Sequence, residues 1–191
     1  LAKIPTEKYL TERVDFATFS GHKFHGVRGV GFVYIKSGKK ITPLLTGGGQ
    51  ERDYRSTTEN VAGIAATAKA LRLSMEKLDI FTSKTGQMKA VIRQALLDYP
   101  DIFVFSDEED FAPHILTFGI KGVRGEVIVH AFEDYDIFIS TTSACSSKAG
   151  KPAGTLIAMG VDKDKAQSAV RLSLDLENDM SQVEQFLTKL K

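Results

Sequence analysis

The chain has 191 residues, 42% of them hydrophobic and 26% charged, with 25 basic side chains against 24 acidic ones. That is enough polypeptide to bury a core in one large or two small domains. A formal net charge of +1 points to neither nucleic acid nor an anionic membrane as a partner. The single cysteine, Cys145, excludes an internal disulfide framework and suits a reducing, cytoplasmic compartment. No apolar run approaches the ~20 residues of a membrane span, and no secretory signal is visible. The chain opens Leu1-Ala2-Lys3 without a methionine, so a processed, cleaved or excerpted polypeptide is expected.

The predicted elements alternate between strands and helices. Val14 to Phe19 and Gly31 to Ile35 read as short strands around a glycine-rich turn. Ser56 with Glu59 makes a capping-box pattern, and the helix it opens carries an apolar stripe of Val61, Ile64, Ala65, Ala68, Leu71, Met75 and Leu78. Met88, Val91, Ile92, Ala95, Leu96 and Tyr99 repeat that spacing in a second helix, and both stripes are expected to pack in a core. Ile102 to Phe105 and His114 to Ile120 read as strands separated by the acidic turn Asp107-Glu108-Glu109-Asp110. A short helix over Gly125 to Phe132 and strands over Asp136 to Ser140 and Ala169 to Leu174 follow. Ser181 and Glu184 cap a last helix with Val183, Phe186, Leu187 and Leu190 inward. The pattern predicts an α/β chain whose domain boundary falls around residues 75 to 80.

Two segments carry chemistry. Ser20-Gly21-His22-Lys23-Phe24-His25-Gly26 continues through Gly29 and Gly31, so a hydroxyl, an imidazole and an amine follow an apolar run. Such a turn can hold a phosphorylated aldehyde: glycines permit close backbone approach, Ser20 and His22 can bond phosphate oxygens, and Lys23 can form a Schiff base. A strand, a turn and a surface lysine would read the same way. Cys145 sits in Ser143-Ala144-Cys145-Ser146-Ser147, whose small polar residues read as an exposed loop able to bring a thiolate to a distant substrate. An incidental thiol is the alternative. His25, His114 and His130 are scattered without metal-ligand spacing, and no metal site is expected.

Taken in order, these segments, together with Gly47-Gly48-Gly49-Gln50-Glu51, Arg55-Ser56-Thr57-Thr58-Glu59-Asn60 and Val170-Arg171-Leu172-Ser173-Leu174, resemble the pyridoxal-phosphate-dependent cysteine desulfurases that supply sulfur for iron–sulfur clusters and nitrogen fixation. The resemblance covers nearly the whole chain. It implies the C-terminal half of such an enzyme. Residues 1–77 would be the end of a type I pyridoxal-phosphate-dependent large domain, and residues 78–191 a small α+β C-terminal domain. The family's ring-stacking histidine, its pyridine-nitrogen aspartate, its ring-hydroxyl glutamine and an early phosphate threonine would lie in the missing half.

Further roles follow from the resemblance alone. Lys23 would carry pyridoxal 5'-phosphate as a Schiff base, on a site that lowers its pKa by desolvation or nearby positive charge. Ser20 and His22 would bind the phosphate, and Thr58 would reach the phosphate of the neighbouring subunit of a homodimer, with Gly47 to Gln50 as a flexible lead-in. Arg171 would grip the carboxylate of L-cysteine as a bidentate fork. Cys145 would take the substrate sulfur as a persulfide, leaving L-alanine, and pass it to an acceptor or scaffold protein. Lys148 and Lys151 lie near enough in sequence to favour its thiolate. The chain alone is expected to be inactive.

Val27 stands where the family usually has proline and Thr57 where it has glycine, which loosens the lysine loop and adds a β-branched side chain to a turn suited to positive φ. Lys151-Pro152-Ala153-Gly154 is also atypical and bears on partner docking. Two other readings stay open. One is an aminotransferase or lyase in which Cys145 is incidental. The other is a non-catalytic, scaffold-binding fragment.

Overall fold

A computed structural model describes residues 3–106, 111–141 and 154–190. The chain divides into two compact units, Leu1–Asp79 and Ile80–Lys191. It is α/β, as the alternating pattern predicts.

The first unit begins with a short 3-10 turn, Thr6–Lys8, and is built on an antiparallel hairpin, β1 (Phe16–Ser20) and β2 (Gly31–Ile35), in register from Phe16↔Ile35 to Ser20↔Gly31. A 3-10 turn, Gly21–Phe24, closes β1. His25 then takes a left-handed conformation (φ 65°), and Gly26 N–H donates to Gly21 O at 2.9 Å. Backbone crowding explains these glycines. A Cβ on Gly31 would stand 2.3 Å from Phe19 O, and one on Gly26 would stand 2.8 Å from Gly21 O. Gly29 serves differently, through its φ of +80° in open space.

Helix α1 (Val61–Glu76) lies over this turn. Its start differs from the expected Ser56/Glu59 box. Asn60 is the N-cap, its Oδ1 accepting from Gly63 N–H at 3.0 Å. Its buried positions differ too. Gly63 and Thr67 are the residues it buries, while Val61 is 72% exposed and Ile64 and Met75 are also exposed. A two-stranded hairpin is too small to cover an apolar stripe. Gly63 and Thr67 fit because the helix comes close: a Cβ on Gly63 would meet Val30 Cγ2 at 2.6 Å. Phe24 is the one large apolar side chain fully buried among the unit's described residues, against Phe32 edge-on at 6.3 Å. Leu44 is 94% exposed, and Phe16, Phe32, Val33 and Tyr34 of the hairpin are exposed as well. The first unit therefore has almost no core of its own.

The second unit has one. Helix α2 (Leu78–Leu97) begins ten residues before the expected Met88 and turns Phe81, Thr85, Met88, Ile92 and Leu96 inward at helical spacing. A four-stranded antiparallel sheet follows in the order β3-β4-β6-β5, with β3 Ile102–Val104, β4 Ile115–Ile120, β5 Ser140–Thr141 and β6 Val170–Ser173. Helix α3 (Gly125–Glu133) connects β4 to β5. Two short helices that the pattern did not predict, α4 (Gly154–Ala158) and α5 (Lys163–Gln167), precede β6, and α6 (Met180–Leu190) closes the chain. Leu116, Phe118, Val170 and Leu172 meet α2, α3 and α6 in one core, where Phe132 stacks on Phe186 at 4.9 Å.

Two further expectations are corrected in this unit. β5 pairs only at Ser140 and Thr141, because Asp136 is left-handed (φ 57°) and Ile137 N–H is drawn back to Phe132 O at 3.1 Å. α6 is capped by Asp179 and Gln182. Asp179 Oδ1 accepts Gln182 N–H at 3.1 Å, and Gln182 Oε1 accepts Asp179 N–H at 3.2 Å.

Candidate active site

Ser20 ends β1, and His22 and Lys23 lie on the 3-10 turn that follows, so four consecutive residues bring a hydroxyl, an imidazole and an amine together. All three side chains are exposed, and none has a hydrogen-bond or ionic partner among the described residues. The turn is fixed from behind. Gly21 N–H donates to Val30 O at 2.9 Å, Phe24 is buried, and Ser74 Oγ on α1 donates to Phe24 O at 3.4 Å. Rigid backbone with unengaged polar side chains suits a site waiting for a ligand rather than a stability device. The desolvation that a Schiff-base lysine calls for is not supplied by these residues, since Lys23 is exposed.

Thr58 is exposed in the lead-in two residues before the Asn60 cap, and the structure describes no contact joining it to Lys23. The lead-in itself holds an unexpected feature. Glu51, Arg52 and Asp53 are all left-handed (φ 50°, 57° and 67°), closed by Asp53 N–H to Gly49 O at 3.1 Å. Thr57 is not at positive φ, so the strain expected there lies upstream instead. The three adjacent glycines and an αL-tolerant aspartate at 53 were the available signal.

Arg171 lies in the middle of β6 in the second unit. Val170 and Leu172 face the core, so alternation turns Arg171 to the other sheet face, flanked in register by Thr117 of β4 and Ser140 of β5. Its Nε is buried without a hydrogen-bond partner, and no carboxylate among the described residues pairs with it. A buried guanidinium nitrogen left unpaired is costly and is met by an incoming carboxylate. Thr117 and Ser140 were not singled out from sequence, because only the register brings them beside Arg171. Cys145, Lys148 and Lys151 lie outside the described residues. His25 caps the lysine turn, His114 packs on Phe81 at 5.2 Å, and His130 Nδ1 pairs with Glu133 at 2.8 Å.

The class-V aminotransferase family matches residues 10–186, the lysine turn and Arg171 included. This chain belongs to that family. A NifS/IcsS protein homolog of Lactobacillus delbrueckii subsp. bulgaricus is 48% identical over 182 residues, which cover 95% of this chain and 47% of that protein. The cysteine desulfurase IscS of Clostridium botulinum is 35% identical over 180 residues, covering 93% of this chain and 45% of that one. Among solved structures, a NifS-like protein superimposes with a TM-score of 0.81 at 35% identity, covering 93% of this chain and 45% of its own. A NifS-like protein from Rickettsia africae gives the same TM-score at 29% identity, covering 93% and 46%. The resemblance to the cysteine desulfurases is thus upheld, and the chain spans about half the length of the curated relatives it matches.

Proposed function

We propose that this class-V aminotransferase chain is the C-terminal half of a pyridoxal-phosphate-dependent cysteine desulfurase, acting on L-cysteine together with a polypeptide that supplies the other half and within a homodimer. The observation that carries it is the lysine turn: Ser20, His22 and Lys23 stand unengaged on a backbone fixed by Gly21, Phe24 and α1. These residues fit pyridoxal phosphate. Ser20 Oγ and His22 would donate to its phosphate, joined by Thr58 from the neighbouring subunit, and the Lys23 amine would hold its aldehyde carbon. Bound there, the cofactor supplies an electron sink that makes the substrate's Cα proton removable. The residues around it do the rest. The orphaned Arg171 guanidinium binds and orients the substrate carboxylate. The Cys145 thiolate would attack the substrate sulfur, forming the sulfur–sulfur bond of a persulfide as the carbon–sulfur bond breaks with its electron pair left on the substrate's Cβ, which takes up a proton to give L-alanine.

On this reading residues 1–77 complete a large cofactor domain and residues 78–191 form the small domain. The exposed apolar faces of β1, β2 and α1 support the first assignment, since a unit with one buried large apolar side chain is built to be covered. An exposed Lys23 gains its desolvation in the same way, from the covering polypeptide. A cytoplasmic place in iron–sulfur cluster assembly fits the persulfide chemistry, and among the described residues no helix is long and apolar enough to cross a membrane.

The test mixes this chain with the N-terminal half of the Lactobacillus relative, pyridoxal phosphate and L-cysteine, and measures alanine. Release by the mixture, abolished by Lys23→Ala and strongly reduced by Arg171→Ala, is the expected result. Full turnover by Cys145→Ala would instead favour an aminotransferase or lyase with an incidental cysteine.

A further inference from the structure

One row of side chains crosses the sheet of the second unit as a polar line. Leu116, Phe118, Val170 and Leu172 face the core, so Thr117 of β4 and Arg171 of β6 turn to the other face. The register places Thr117 directly opposite Arg171 on one side and Ser140 of β5 directly opposite it on the other. Residues opposed in this way hold their Cβ atoms about 4.5–5.5 Å apart. The Arg171 side chain therefore leaves the sheet between two hydroxyls.

The row is fixed and walled on one side. Thr117 N–H donates to the buried Ser106 Oγ at 2.8 Å, and Thr117 O accepts Phe105 N–H at 2.8 Å, so its side chain stands on a pinned backbone. Ala169, two residues before Arg171 and on the same face, packs with Leu156 of α4 and Ala166 of α5, and Phe105 lies against them. Neither the Thr117 nor the Ser140 hydroxyl has a partner among the described residues. Three unengaged donor groups thus converge beside an apolar wall, where a charge-assisted hydrogen bond is stronger than in open water.

The orphaned nitrogen decides how an anion can enter. Arg171 Nε is the buried, unpartnered atom, and it is the guanidinium nitrogen nearest the sheet. A carboxylate that met the two terminal nitrogens end-on would leave Nε unsatisfied. A carboxylate lying side-on, across Nε and one terminal nitrogen, satisfies it and comes down between the flanking hydroxyls. A carboxylate accepts about four hydrogen bonds. The guanidinium supplies two of them in this pose, and two hydroxyls stand beside it. We infer that Thr117 and Ser140 are further substrate-binding residues: their hydroxyls donate to a carboxylate held side-on by Arg171, and they select a compact carboxylate over a neutral group of the same shape. That the carboxylate belongs to L-cysteine rests on the desulfurase reading; the site itself does not.

The experiment follows the Arg171 Nε–H resonance in the whole chain carrying isotopically labelled arginine, assigned by its loss in Arg171→Lys. Sodium propionate should shift it saturably. Propionamide, the same shape without the charge, and sodium chloride at matched ionic strength should not. Thr117→Val and Ser140→Ala should each weaken propionate binding about tenfold, and Thr117→Ser should restore it, which a purely structural role for the threonine would not require. Unmoved Val170 and Leu172 amide resonances would show that the sheet is intact in each variant. No saturable shift, an equal shift by propionamide, or full binding by both hydroxyl-free variants would overturn the inference. So would loss of the propionate shift on adding the N-terminal half of the Lactobacillus relative, since that half would then fill the site itself. Because propionate binding is read without cofactor or cysteine, it can fail while alanine release stands, and the reverse.

Discussion

Gly21→Ala is the substitution that most sharply links packing to the proposed chemistry. Gly21 is buried at the start of the lysine turn, and a Cβ there would stand 2.9 Å from Val30 O and 3.0 Å from both Cγ2 and Oγ1 of Thr67. The carbonyl cannot retreat freely, since Gly21's own N–H donates to it at 2.9 Å, and Thr67 is buried on α1. Overpacking of this kind costs about 1–3 kcal/mol, and lengthening the hydrogen bond adds up to about 1 kcal/mol. The hairpin has two strands and one fully buried large apolar side chain behind it, so a loss of that size is a large share of what holds the turn. Hydrogen exchange should show β1 and β2 amides losing protection, while peptides from α2, β4 and β6 stay unchanged. Borohydride trapping of pyridoxal phosphate on Lys23 should fall in parallel. Gly154→Ala supplies the control, since a Cβ there would have nothing within 4 Å and the residue is not at positive φ. If Gly21→Ala kept wild-type protection and trapping, the claim that Val30 and α1 position Lys23 through Gly21 would be wrong.

Other substitutions test the rest of the account. Thr67→Val replaces a buried hydroxyl that has no partner with a methyl of similar size, and should raise stability by about 1 kcal/mol in urea unfolding. Arg52→Gly should raise it by about 0.5–1 kcal/mol, the relief of left-handed strain less the extra freedom of glycine in the unfolded chain. Phe118→Ala, at a side chain with no exposed surface in the core of the second unit, should cost about 3–5 kcal/mol and unfold that unit first in thermal melts. Asp179 has a depressed folded pKa, so its contribution to α6 is present above the unfolded value and lost as pH falls through the folded one. Circular dichroism should therefore show α6 fraying in acid, below about pH 4, and Asp179→Ala should fray it at neutral pH.

What the sequence revealed and what it hid divide along physical lines. Strands β4 and β6 and helix α2 were legible because their apolar period matches the face they bury. The lysine turn was legible because glycine, histidine and lysine adjoin in sequence, although its glycines turn out to bring backbone against backbone. The α1 stripe misled, because periodicity states which face is apolar and not whether this chain covers it. The caps were misassigned where two patterns compete within a few residues: Asn60 against Ser56, and Asp179 against Ser181. The Asp136 turn that shortens β5 depends on a bond to Phe132 O, which no local pattern announces. Thr117 and Ser140 join Arg171 only through strand register. Cys145 lies outside the described residues, so its loop was not compared with the structure.

Lys23 as the cofactor lysine is the central claim, and one labelling experiment addresses it directly. Pyridoxal phosphate is added to this chain together with the N-terminal half of a relative, the mixture is reduced with borohydride, and the label is mapped by peptide mass. A single label on Lys23, lost in Lys23→Ala and weakened in His22→Ala, is the predicted result. Label scattered over surface lysines, or unchanged in amount when Lys23 is replaced, would contradict it.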